Sequence, residues 1–402
     1  MALRAVRPSR RPGLVLPVFD EAKTLIETAR PDEPIYCLYP HVLKTDCEVF
    51  TGHFPGTALY AVKANPSPHV LRRLYDGGIR HFDTASIPEI RDTLSLLPNA
   101  RCYFMAPVRL KGAAAEAYFE YGVRDFVIDC EAELRQTLQE TGARDLRLFV
   151  RHATPTAQAA LDLSRKFGAS ATQAADLLRQ VNTAGCEPAL SFHVGSLCLE
   201  PAAFARAISL SAEIKSLSGV DISTLNVGGG FPVPYPSIAA PQMTDYFTII
   251  TKAIEENGFS PSMQVLCEPG RALSANSLSV ITQVIRRRGN TIFLNDGVYG
   301  SFCETVQLTP SIEFPTRVYR QGQSGIEPVA GTTAPFRTFG PTCDSVDVLP
   351  WEPHLPTSLE EGDWVEFGLA GAYTVATRTE FNGMRPERFV VIGHQSAMPP
   401  GL

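Results

Sequence analysis

Tyr60-Ala61-Val62-Lys63-Ala64-Asn65-Pro66 is an apolar run that closes on a lysine. The next stretch, 68–75, brings Val70, Leu71 and Leu74 to one helical face and stops at Gly77-Gly78. Together they read as a strand that delivers a cation at its C-terminal end and then passes into an amphipathic helix. A lysine closing a buried strand is costly, because burial disfavours the ammonium and is expected to push its pKa down. A neutral amine held there is a nucleophile for carbonyl compounds. A lone lysine at a strand end more often snorkels to solvent, so its meaning depends on the rest of the chain.

The same unit recurs from about Ala58 to Arg271. Strand-like runs at 58–63, 80–85, 101–106, 125–130, 146–152, 189–195, 224–228 and 264–268 alternate with helical patterns such as 131–141 and 201–217. About eight such units predict an α/β fold, a closed (β/α)8 TIM-type barrel over residues 41–272. Lys63, Asp83, Asp129, Arg151, His193, the turn Gly228-Gly229-Gly230 and Glu268 all fall at or just past the C-terminal ends of these runs. That end of such a barrel carries the active site, and scattered surface charges would not choose one end of every strand.

After Arg271 the helical periodicity fades. Runs at 277–285, 291–294, 336–339, 364–367, 372–377 and 389–392 are strand-like and separated by turns. They predict a second, β-rich domain over residues 273–402. Residues 1–40 are expected to add a basic arm (Arg4, Arg7, Arg10, Arg11) and strands at 14–19 and 35–38 to that domain, while the Pro- and Gly-rich stretch 310–335 reads as loop.

With 402 residues, 44% hydrophobic and 19% charged, the composition is that of an ordinary globular protein. A net charge of −6 argues against a nucleic-acid partner. No apolar run approaches the roughly 20 residues that span a bilayer. The N-terminus lacks the apolar segment of a secretory signal, so a cytoplasmic location is expected. Nine cysteines without a CxxC pair read as free thiols in a reducing compartment and not as a metal site.

Five motifs in order carry a resemblance: Tyr60-Ala-Val-Lys63, Ser191-Phe-His193-Val-Gly-Ser196, Gly228-Gly-Gly-Phe-Pro232, Glu268-Pro-Gly-Arg271 and Gly340-Pro-Thr-Cys343-Asp344. Asn295-Asp-Gly-Val-Tyr-Gly-Ser-Phe302 and Gly371-Ala-Tyr373-Thr add to them. Each is weak alone; in this order, from about residue 35 to the C-terminus, the set resembles the pyridoxal-phosphate-dependent ornithine/lysine/diaminopimelate decarboxylases, whose barrel is of the alanine-racemase type. The short, aspartate-bearing Cys343 motif leans towards the ornithine/lysine branch.

The resemblance implies that Lys63 holds the cofactor covalently and that Glu268 contacts the pyridine nitrogen, keeping it protonated so that the ring acts as an electron sink. It implies that His193 stacks on the ring and that Gly228, Gly229, Gly230, Ser196, Arg271 and Tyr373 contact the phosphate, the glycines by letting backbone come close. Asp83 and Arg151 resemble further cofactor-side residues. Cys343 is implied to be the proton donor, entering from the other subunit with Asp344 beside it, which makes a homodimer necessary for activity. Without that context a strand histidine, three glycines or a cysteine would be read as core, turn and inert thiol.

The sequence departs from the family at the substrate. Eukaryotic-type ornithine decarboxylases place a second substrate-binding aspartate shortly after the Gly-Val-Tyr-Gly-Ser-Phe segment, and counting forward from Phe302 puts Leu308 there. Losing one charge-assisted hydrogen bond, about 1.5–3 kcal/mol, costs roughly ten- to a hundredfold in binding. Glu304 or Glu313 is a replacement if the loop shifts, and Asp344 still offers an acid. Phe381 completes the substrate-side candidates. Ala106, where many relatives carry asparagine, is a second departure. The expected activity is decarboxylation of L-ornithine or L-lysine to the diamine. The alternatives are a non-basic amino acid, motivated by Leu308, or a non-catalytic regulator. A racemase fits less well, since the resemblance implies an arginine in place of Glu268.

Overall fold

The protein is described by a computed structural model covering residues 15–154, 159–161, 166–308 and 311–394. The basic arm, Leu14 and Pro310 lie outside the described residues.

Eight parallel strands close into a barrel in sequence order: Thr57–Ala61, His81–Thr84, Arg101–Phe104, Asp125–Ile128, Arg147–Arg151, Glu187–Ser191, Thr224–Asn226 and Gln264–Cys267. The last strand pairs with the first, Cys267 beside Ala58. Helices cover the outside, and their ends follow local chemistry. Proline starts Pro68–Asp76, Ser170 and Gln173 form a capping box on Ala171–Thr183, and left-handed Gly142 ends Glu131–Thr141.

Register fixes which side chains enter the lumen. Leu59 lies opposite His81, Asp83 opposite Tyr103, Asp125 opposite Arg147 and Arg151 opposite Ser191. With a side-chain period of two, these positions stack in three layers. The middle layer is an apolar plug of Leu59, Tyr103, Val127, Phe149, Ala189 and Leu266. Beneath it Asp125 is held by Arg101 and Arg147, at 2.6 Å from each. Above it, at the C-terminal end, stand Asp83 and Arg151. The plug separates a structural charge cluster from the reactive end.

The second domain is a nine-stranded sheet fed from both chain ends. Ile35–Leu38 pairs antiparallel with Leu278–Arg288 and parallel with Arg388–Ile392, which also holds Val18–Phe19. Two expectations fail here. The stretch 310–335 contains three strands, Thr316–Gln321, Ile326–Pro328 and Thr333–Pro335, because its prolines and glycines sit at strand ends and edges where no ladder donor is missed. The run 372–377 is not a strand: Thr374–Thr377 is one helical turn that begins at left-handed Tyr373 (φ 61°).

Candidate active site

The first barrel strand ends at Ala61, and Val62–Ala64 turns into a short 3-10 segment that carries Lys63 to the barrel mouth. Lys63 is therefore beyond the strand, not its last residue. Its side chain is 44% exposed towards the cavity, and Nζ lies 3.4 Å from Oδ2 of buried Asp83 on the neighbouring strand. Asp83 reverses the expected pKa shift: its carboxylate raises Lys63 above the ordinary lysine value and outweighs burial. The turn is tied to the β-domain from both sides. Buried Asn65 donates to Gly371 O at 2.8 Å, and Tyr373 N donates to Ala64 O at 2.6 Å. A positive φ at tyrosine is costly, and here it holds the Tyr373 ring at the cavity.

Glu268, one residue past the last barrel strand, accepts from Asn226 Nδ2 at 2.7 Å, and the same asparagine accepts from Gly228 N at 2.9 Å. Burial first, then Asp83, push the Glu268 carboxyl up to about 7. A carboxylate with that proton affinity is suited to share a proton with a pyridine-type nitrogen. His193 accepts from Gly195 N at Nδ1, 3.0 Å away. Burial, Arg151 and Lys63 hold it well below the usual histidine range. It presents a neutral ring, the form that can lie against another ring without adding charge. Burial also lowers Arg151, whose charge is offset chiefly by Glu268.

At the other end of the cavity the glycine turn packs against backbone. A Cβ on Gly228 would stand 2.0 Å from Phe192 O, and one on Gly230 (φ +110°) 2.5 Å from Gly195 O. Only glycine fits this cradle. Arg271 donates from one terminal nitrogen to Ser196 Oγ at 3.5 Å and from the other to Tyr235 Oη at 3.0 Å. Buried Arg271 Nε has no protein partner among the described residues. A tight glycine turn, a hydroxyl and a buried guanidinium with a spare donor fit a phosphate. An amine, a neutral imidazole and a proton-sharing carboxylate line the same cavity as this cradle, so the residues present fit pyridoxal phosphate.

Lys63, Arg151, His193, Ser196, Gly230, Glu268, Arg271 and Tyr373 line one cavity of about 370 Å³ together with Met105, Ala106, Pro107, Phe167, Leu197 and Leu308. Glu304 also lines it, but its carboxylate is bonded by both terminal nitrogens of Arg271. As a substrate-side acid it is therefore already engaged. Cys343, Asp344 and Phe381 do not line this cavity within one chain. Exposed Cys343 receives Asn382 Nδ2 at 3.4 Å, Asp344 accepts Tyr299 Oη at 2.5 Å, and Phe381 stacks on Tyr299 at 4.4 Å. They form an outward-facing group of their own. Sequence reading missed Asn226 and Tyr235. Asn226 was legible as a polar residue closing a barrel strand just before the glycines; Tyr235, in an irregular loop, left no pattern.

A lysine at the mouth of a (β/α)8 barrel, a carboxylate and an imidazole around it, a phosphate cradle opposite and a β-domain closing one side define a pyridoxal-phosphate-dependent barrel protein. The family described as "Pyridoxal-dependent decarboxylase, pyridoxal binding domain" matches residues 43–275. The chain belongs to this family, in its ornithine/lysine decarboxylase group. It is 33% identical over 358 residues to the ornithine decarboxylase of Schizosaccharomyces pombe, covering 83% of this chain and 77% of that protein. A structure of an SrLDC double mutant in complex with PLP superposes with a TM-score of 0.81 at 28% identity, covering 92% of this chain and 95% of the other. The lysine/ornithine decarboxylase of Vibrio vulnificus complexed with cadaverine gives 0.78 at 29% identity, covering 92% and 95%.

Proposed function

We propose that the chain is a decarboxylase of L-ornithine or L-lysine, releasing CO2 and the corresponding diamine. The observation that carries this is the convergence of Lys63, His193, Glu268, Ser196 and Arg271 on one cavity. Pyridoxal phosphate, when bound, supplies the ring that accepts the electron pair left at Cα when CO2 departs. The chain does the rest. Lys63 supplies the amine and Asp83 fixes its position. Glu268, braced by Asn226, holds a proton at the ring nitrogen, while His193 covers one face. The glycine turn, Ser196 and Arg271 anchor the phosphate, so that remote binding energy fixes the orientation of the breaking bond. A second copy of the chain brings Cys343 to return a proton to Cα, and Asp344 to meet the distal ammonium. A homodimer is part of this reading.

A second reading, a neutral distal group on the substrate, is favoured by one observation. Leu308 is 5% exposed and lines the cavity beside Met105, Ala106 and Phe167. A cationic end group near these side chains would be desolvated without a partner from its own chain. The test is CO2 release by the cofactor-loaded protein across a panel of amino acids, with Lys63→Ala as the blank. Turnover of ornithine or lysine supports the first reading. Silence on both with turnover of a neutral amino acid installs the second. No release from any member overturns both and leaves a non-catalytic role.

A further inference from the structure

The mechanism leaves Glu304 unused, although it sits at the phosphate end with its carboxylate held by both terminal nitrogens of Arg271. Arg271 is 4% exposed and Glu304 6% exposed, so neither charge is screened by water. The other titratable groups facing the pair are Tyr235, from the loop after the glycine turn, and Tyr373, from the β-domain. Both stay neutral, because burial raises them above the usual tyrosine value. Arg271 is thus the cation that balances Glu304. The remaining lysine and arginine on the cavity, Lys63 and Arg151, are engaged with Asp83 and Glu268 respectively.

A phosphate arriving at this cradle brings about two negative charges. Two anions on one buried guanidinium repel strongly, and the cheapest relief is one proton taken up by the pair and shared between carboxylate and phosphate. We propose that Glu304 is a proton-linked competitor for the cofactor's phosphate: it occupies Arg271 in the empty protein, and the pair of carboxylate and phosphate takes up one proton from solvent when the phosphate loads. The inference rests on the assignment of Arg271 to the phosphate. It makes Glu304 a positioning residue whose charge sets cofactor affinity and makes that affinity depend on pH.

The test is titration of the cofactor-free full chain with pyridoxal phosphate, following the visible absorption band from pH 6.5 to 8.5, for the wild type, Glu304→Gln and Glu304→Asp. Pyridoxal, which lacks the phosphate, is the control ligand. Glu304→Gln is expected to tighten pyridoxal phosphate by roughly ten- to a hundredfold at the alkaline end. The ratio of wild-type to Glu304→Gln Kd rises with pH, since the competitor must be neutralised from an ever scarcer proton supply. Glu304→Asp keeps that pH dependence, and pyridoxal affinity is the same in all three. Calorimetry of the wild type in two buffers of different ionisation heat, near pH 8, should show proton uptake with pyridoxal phosphate beyond that with pyridoxal. Glu304→Asp should keep the extra uptake and Glu304→Gln should lose it; uptake that persists in Glu304→Gln belongs to the phosphate alone and overturns the proposal. Unchanged or weaker binding in Glu304→Gln, or no extra proton uptake, overturns the proposal while leaving the cofactor assignment standing. Absence of a band with either ligand overturns both.

Discussion

At the residue scale the site is governed by pairs whose members lie far apart in sequence. Lys63 illustrates this. Its position was legible, because an apolar run closing on a cation is a local pattern, but the direction of its pKa shift was not. The deciding partner, Asp83, is brought 3.4 Å from Nζ by strand pairing, which no local spacing reveals. Glu268 is the converse case and yields a prediction. Its carboxyl is pushed from an ordinary 4.5 to about 7 by burial and by Asp83. In the cofactor-free protein the folded state therefore binds more protons than the unfolded state between those values, so stability falls as pH rises through that window. Thermal midpoints of the cofactor-free wild type should drop from pH 4.5 to 7, and Glu268→Gln should flatten that slope. An equal slope in both would assign the pH dependence to other carboxylates. Asn226 and Tyr235 went unnoticed for the same reason that Asp83, although singled out, was not seen as the partner of Lys63: their importance lies in whom they meet.

At the scale of elements, the alternation of apolar runs and amphipathic stretches located all eight barrel strands, because each is a buried parallel strand and all but the last lead on to a helix with one apolar face. The β-domain was less legible. Short edge strands such as Ile326–Pro328 contain proline and little alternation, and the β-branched Thr374-Val375 reads as strand although tertiary context makes it a helical turn. What sequence could not show is how the two domains are joined at the turn that carries Lys63. The Lys63 turn is stitched to the β-domain by Asn65 and by the Gly371–Tyr373 loop, where a Cβ on Gly371 would lie 1.6 Å from Ser274 O. Asn65→Ala removes a fully buried amide and leaves Gly371 O and Ser67 N without their partner. It should destabilise the protein by about 1–3 kcal/mol, read as a lower urea midpoint. An unchanged midpoint would mean that packing alone holds the domains together at this point.

At the scale of the whole molecule, one chain carries a cavity lined by Lys63, His193 and Glu268 and, elsewhere, an exposed group that holds Cys343 and Asp344. Phe381, Met384 and Val346 are 38%, 45% and 60% exposed around Cys343 and Asp344. Apolar surface clustered beside functional side chains needs a cover, and under the proposed function the cover is a second copy whose cavity receives Cys343. A two-fold pair then has two sites, each built from both chains. Mixing separates this arrangement from a site complete within one chain. Lys63→Ala and Cys343→Ala proteins should each be nearly inactive alone. If subunits reassort freely in an equal mixture, half of the dimers are hybrids. Each hybrid holds one doubly damaged site and one intact site, with Lys63 from one chain and Cys343 from the other. Activity should therefore recover to roughly a quarter of the wild-type value. No recovery, with subunit exchange verified by differently tagged copies, would place Lys63 and Cys343 in the same chain's site and require the Cys343 loop to fold back over its own cavity. Activity retained by Cys343→Ala alone would remove Cys343 as the proton donor and leave the outward-facing group a purely structural contact.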